Sequence, residues 1–155
     1  MTNGIAFFGG KVKGTVRFFE TENYVNIEVN LSGLKKNALH GFHVHECGDL
    51  SKGCESMCAH FNPYNKSHGG PGNSDRHVGD LGNLKTNQYG RACYTFRDSF
   101  IKLRGSKANI IGRGLIIHSD PDDLGKGDHD LSHTTGNSGK RMACAVIGIA
   151  SPSSS

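Results

Sequence analysis

Six histidines and one aspartate are spaced as metal ligands would be: His43, His45, His60, His68, His77, Asp80 and, far downstream, His118. Imidazole nitrogens and a carboxylate oxygen suit borderline divalent ions. Seven donors are more than one ion takes, because zinc closes at four and copper(II) prefers a tetragonal set of nitrogens. Two adjacent metals are the economical reading. His43 and His45 alternate with Phe42 and Val44, and period two puts both imidazoles on one face of a strand. The stretch from His60 to Asp80 is rich in Gly, Pro, Asn and Ser, so it can wind its donors around an ion without a helix or strand fixing their direction. A loop as long as 46–80 without secondary structure of its own is expected to be functional.

The elements that must position these residues read as strands. Val25, Ile27, Val29 and Leu31 alternate with Asn26, Glu28 and Asn30, a half-buried strand with one wet face. Shorter alternations occupy 5–8, 12–19, 42–45, 81–86, 91–96 and 142–149, and the apolar run 115–117 ends in His118. About eight strands joined by turns, with 22 glycines and no tryptophan, predict an all-β fold, an antiparallel sandwich or barrel. Two long loops, 46–80 and 119–140, flank the candidate metals. A chain of 155 residues is expected to form a single domain over 1–150, with a disordered Ser-rich tail at 151–155.

The net charge of +4 is moderate and spread out; the clusters Lys11, Lys13, Arg17 and Lys35, Lys36 read as a solvated surface. No recognition motif or aromatic interleaving accompanies them, so no nucleic-acid partner is expected. The first ten residues lack a basic segment followed by an apolar run, so neither a signal peptide nor a membrane segment is expected and the location reads as cytoplasmic.

Four runs carry a family resemblance: Gly41-Phe42-His43-Val44-His45-Glu46, His77-Val78-Gly79-Asp80-Leu81-Gly82-Asn83, Asp123-Leu124-Gly125-Lys126-Gly127, and Gly136-Asn137-Ser138-Gly139-Lys140-Arg141 on to Ala143-Cys144. They closely resemble the copper/zinc superoxide dismutases, in that family's order and over nearly the whole chain. The resemblance implies an eight-stranded Greek-key β-sandwich or barrel that dismutes superoxide. It implies one copper on His43, His45, His60 and His118 and one zinc on His60, His68, His77 and Asp80, with His60 shared between them. Asp122 would accept hydrogen bonds from His43 and His68, and Arg141 would receive the incoming anion. A guanidinium suits that task because it stays charged at every relevant pH. His40, His129 and His133 have no such match and read as ordinary residues.

The resemblance also implies a disulfide between Cys54 and Cys144, leaving Cys47, Cys58 and Cys93. Cys58 is a departure, since the family usually has glycine there; it could compete with Cys54 for Cys144 or help bind a soft metal. A homodimer is implied, built around Gly48, Ile111, Gly112, Ile149 and the loop held by Cys54, with Cys47 and Ala145 altering that surface. A copper chaperone is a further implied partner. In the second loop, Asp120, Leu131 and Thr134 stand where the family usually has lysines and a glutamate, although Lys126 and Arg141 are kept. Weaker attraction for superoxide and a shallower salt dependence are expected. The alternatives are a copper-binding or copper-delivery module and an inactive heteromer partner. Both are expected to have lost ligands or the arginine, and this chain has lost neither.

Overall fold

The alternation at 25–31 becomes strand β3 (Val25–Ser32), with Val25, Ile27, Val29 and Leu31 buried and Glu28 and Asn30 exposed. In the computed structural model, which describes residues 2–152, it lies between β2 (Lys13–Glu20) and β7 (Ala92–Asp98), and β2 pairs in turn with β1 (Asn3–Gly9). The other half of the sheet is β4 (Leu39–His45), β6 (Asp80–Lys85), β8 (Gly114–His118) and β9 (Arg141–Ile149). The full order is β6-β4-β8-β9-β1-β2-β3-β7, antiparallel at every pairing, with β9 joining the two halves. The end strands β6 and β7 approach each other, and the Lys85 amide donates to the Tyr94 hydroxyl across the gap at 3.1 Å. The result is a nearly closed eight-stranded barrel, which leaves little exposed sheet edge.

Loop 46–80 departs from the sequence expectation by containing a short strand, β5 (Ser51–Cys54), and a 3-10 turn (Glu55–Met57). The turn buries Met57 completely, and a disulfide joins Cys54 to Cys144 on β9, so this part of the loop has its own small anchor. The expected tail falls partly outside the described residues, which end at 152. Among the described residues no helix is long and apolar enough to cross a membrane.

Strands β4 and β8 differ from β3 in being buried on both faces. Phe42, Val44, Leu115 and Ile117 enter the core, while His43 and His45 face outward and are covered by the two long loops. A polar face that is not wet needs partners for its polar groups. Two irregularities set its geometry. Between β4 and β6 the register shifts, so that Gly41 pairs with Asn83 but His43 with Asp80. Between β8 and β9 it shifts again, so that Ile117 pairs with Ala143 but His118 with Arg141. Each bulge turns one side chain toward the histidines.

Candidate metal centre

The seven predicted donors come together as two touching groups. His43, His45, His60 and His118 place one ligand atom each within 4.8 Å of the others, and so do His43, His60, His68 and Asp80. All are buried. His77 joins the second group through Nδ1, 3.2 Å from both His60 Nδ1 and Asp80 Oδ1.

In the first group each ring is oriented by its far nitrogen. His43 Nε2 donates to Asp122 Oδ2 at 2.6 Å, His45 Nδ1 to the Cys58 carbonyl at 2.8 Å, and His118 Nδ1 to the Gly139 carbonyl at 3.2 Å. These acceptors fix the tautomers, because a carbonyl or carboxylate oxygen needs the proton on the nitrogen facing it. The opposite atoms, His43 Nδ1, His45 Nε2 and His118 Nε2, then carry lone pairs. With His60 Nε2 they are buried and have no hydrogen-bond partner. Leaving one such atom unsatisfied costs about 1–3 kcal/mol, so four together call for a bound group that accepts lone pairs. A metal ion fits this donor set.

The second group has the spacing of a tetrahedral site. His60 Nδ1 lies 3.0 Å from Asp80 Oδ1, His68 Nδ1 2.9 Å and His77 Nδ1 3.2 Å. An ion with ligands at about 2.0–2.1 Å spaces them about 3.3 Å apart. His68 Nδ1 is also without a hydrogen bond despite its closeness to Asp80. His60 therefore presents Nδ1 to one group and Nε2 to the other, which only an imidazole can do among the side chains.

Charge follows this division. Burial, reinforced by neighbouring imidazoles, holds His43 and His45 well below the ordinary histidine range and His118 down to about 4. At neutral pH these rings are neutral and their lone pairs are available. Burial opposes a charged His68, but Asp122 and Asp80 outweigh it and raise the ring to about 9. Burial also works against ionised Asp80 and Asp122, yet their histidine partners keep both carboxyls below the usual range.

Asp122 links the groups, since its Oδ1 accepts from His68 Nε2 at 2.7 Å while Oδ2 accepts from His43. Asn83 holds the Asp122 backbone in place, accepting from its amide at 2.7 Å and donating to its carbonyl at 3.0 Å. A Cβ on Gly136, whose φ is +72°, would collide with the Asp122 carboxylate, so this close approach requires glycine.

Arg141 donates from Nη1 to the Cys54 carbonyl at 2.9 Å and from Nη2 to the Cys58 carbonyl at 2.6 Å. It lines a cavity of about 880 Å³ together with His45, His60 and His118. Lys66 and Lys140 also line the cavity, against Glu46, as do Leu131 and Thr134. Asp120 turns instead toward Lys35, 3.7 Å away.

The other histidines make backbone contacts: His40 Nδ1 bonds the His118 carbonyl at 2.8 Å, His129 Nδ1 accepts from the Leu131 amide, and the His133 carbonyl accepts from the His68 amide. Sequence reasoning missed Arg76. It is buried beside His77, paired with Asp98 at 2.6 Å, stacked 4.1 Å from the Phe100 ring and bonded to the His77 and Val78 carbonyls. It pins the segment carrying His77 and Asp80 to the barrel wall. Arginine beside a ligand histidine is a weak signal, because exposed arginine is common.

Comparison with known proteins agrees with this geometry. Residues 12–147 match the family model of copper/zinc superoxide dismutases. A Cu-Zn superoxide dismutase of Paramecium bursaria Chlorella virus 1 is 59% identical over 148 residues, which is 96% of this chain and 79% of that relative. An extracellular Cu-Zn superoxide dismutase of Haemonchus contortus is 50% identical over 139 residues, 90% of this chain and 75% of the relative. Among solved structures, that of the clock protein EA4 superposes with a TM-score of 0.92 at 42% identity, covering 96% of this chain and 94% of that one.

Proposed function

The chain belongs to the copper/zinc superoxide dismutase family, and we propose from that premise that His43, His45, His60 and His118 hold copper while His60, His68, His77 and Asp80 hold zinc. The activity is conversion of two superoxide anions and two protons to dioxygen and hydrogen peroxide, a defence against oxidants, with copper and zinc as cofactors. The observation that carries the ligand assignment is the convergence of buried imidazole nitrogens that lack any hydrogen-bond partner.

When bound, copper supplies the alternating +2 and +1 states that accept and return one electron, and zinc supplies fixed charge without redox chemistry. The protein's own residues do the rest. Arg141, held by two backbone carbonyls, keeps its guanidinium at the cavity wall as the receiver of an anion. Lys66 and Lys140 reinforce it against Glu46, so the cavity wall favours an anion. His60 Nε2 is positioned to hold a proton between the two half-reactions, because Asp80 and the neighbouring rings fix the other side of its ring. Asp122 keeps His43 and His68 in one tautomer throughout. The full ligand set and Arg141 favour this reading over a copper-delivery module. Single substitutions test the ligand assignment: His77→Ala loses zinc and keeps copper, and His45→Ala does the reverse. Loss of the same metal by both variants would overturn it.

The functional unit we propose is a homodimer in the cytoplasm, loaded with copper by a chaperone. Ile149 is 71% exposed and Leu50, in the disulfide-held loop, 50%, and both fall on the surface that the family resemblance implies for the dimer. Ala145 was expected to modify that surface but is buried in the core and cannot. The free thiols of Cys47, Cys58 and Cys93 favour a reducing compartment. Sedimentation of the purified protein tests the dimer, and cell fractionation the location.

A further inference from the structure

Cys47 and Cys58 lie outside both ligand groups, yet their sulfurs are 2.9 Å apart. That is too close for a soft-metal pair, since thiolates at about 2.3 Å around a tetrahedral ion stand about 3.8 Å from each other. It is close to what a disulfide needs. Two backbone hydrogen bonds clamp the segments face to face, Glu46 N–H to Ala59 O at 2.9 Å and Cys47 N–H to Met57 O at 3.1 Å. They bring Cys47 alongside Cys58. Cys58 also occupies a backbone conformation, φ 66° and ψ −151°, that is essentially reserved for glycine. The surrounding hydrogen bonds hold it there. Its thiol is exposed and that of Cys47 half-buried, so an oxidant can reach the pair.

We propose that Cys47 and Cys58 are a redox pair that closes to a second, reversible disulfide, with hydrogen peroxide as the oxidant; only the source of that peroxide rests on the dismutase reading. The step balances. The two thiols lose two protons and two electrons as the S–S bond forms, and the peroxide takes them up as its O–O bond breaks to leave two waters. A low-molecular-weight thiol returns the electrons and protons and becomes its own disulfide. The bond has a consequence for the site, because the Cys58 carbonyl accepts from both His45 Nδ1 and Arg141 Nη2. Closing the pair restrains the carbonyl that orients one copper ligand and the anion-receiving arginine.

The test uses the metal-loaded protein, equilibrated with a low-molecular-weight thiol, exposed to graded hydrogen peroxide, alkylated and mapped by non-reducing peptide mass spectrometry. Cys47 and Cys58 are expected to lose alkylation together and appear in one linked peptide. Cys93, whose sulfur donates to Asn30 Oδ1 at 3.5 Å, stays alkylated, and Cys54–Cys144 stays intact. In Cys47→Ser, Cys58 gains oxygen or a thiol adduct instead of a link. The proposal is overturned if both wild-type thiols stay alkylatable, if Cys58 gains oxygen without a link, or if it links to Cys144. Dismutase activity on the same sample separates the two readings: an inert protein that still forms the link refutes only the dismutase, and an active one without the link refutes only the pair.

Discussion

Replacing Asp122 with asparagine should loosen copper more than zinc, and the amount can be worked from the geometry. The carboxylate accepts three short hydrogen bonds: Oδ2 takes one from His43 Nε2 at 2.6 Å, and Oδ1 takes two, from His68 Nε2 and from the Leu124 amide, each at 2.7 Å. Because Asn83 clamps the backbone on both sides, the new amide stays where the carboxylate was. An amide has one accepting oxygen and one donating nitrogen, so one imidazole N–H must face a donor. A charge-assisted hydrogen bond is worth about 1.5–3 kcal/mol, which corresponds to about 10–150-fold in affinity for the metal whose ligand loses it. Two donors, His68 Nε2–H and the Leu124 amide, converge on the Oδ1 position, whereas His43 Nε2–H alone faces Oδ2. The amide therefore keeps its oxygen at the Oδ1 position, and the His43 ring faces its nitrogen. Chelator competition with metal analysis should show copper affinity about 10–100-fold weaker and zinc affinity less than about 10-fold weaker. Unchanged affinity for both metals would refute the bridging role, and a zinc loss with copper retained would refute the reasoning about the two carboxylate oxygens.

Further consequences can be checked alongside. Leu131→Lys restores a positive charge at the cavity wall; a unit charge about 10 Å away in water is worth about 0.4 kcal/mol, so stopped-flow rates should rise about twofold at low salt and fall more steeply with ionic strength than wild type. An unchanged salt profile would rule out steering from that wall. Cys144→Ser opens a loop that spans 90 residues and should cost up to about 4–5 kcal/mol in urea unfolding; a loss under about 1 kcal/mol would show that the loop is held by other contacts. In the metal-free protein, burial holds His118 near 4 and His43 well below the unfolded value of 6.5. Their stabilisation is present above pH 6.5 and lost as the pH falls toward 4. His68, raised to about 9, acts oppositely, stabilising fully below 6.5 and losing its effect between 6.5 and 9. The urea midpoint should fall between pH 6.5 and 4, and a flat or rising midpoint would contradict this.

The strand alternation made the barrel legible, and with it the placement of His43 and His45 on one face of β4. Period two is a property of the backbone and survives any tertiary context. The donors from 60–80 had no such rule: their residue types marked them as candidates, but only the family resemblance divided them between two metals, because an irregular loop gives no direction to its side chains. What stayed hidden depends on the backbone. The bulges that set Asp80 opposite His43 and Arg141 opposite His118 come from register shifts of single residues. The carbonyls of Cys54, Cys58 and Gly139 that orient Arg141, His45 and His118 have no sequence signature, since every residue has one. The pairing of Cys58 with Cys47 was likewise invisible: Cys54 and Cys58 were weighed as rivals for Cys144, and only the fold of 46–59 brings Cys58 to Cys47.

The central claim is a two-metal dismutase site built from these histidines, and metal content with superoxide-dismuting activity on one purified sample tests it most directly, beside a His118→Ala variant. The wild-type protein should carry about one copper and one zinc per chain and be active, while the variant loses copper and activity but keeps zinc. A wild-type protein that binds both metals and is inert, or a variant that keeps its copper and its activity, would contradict the account.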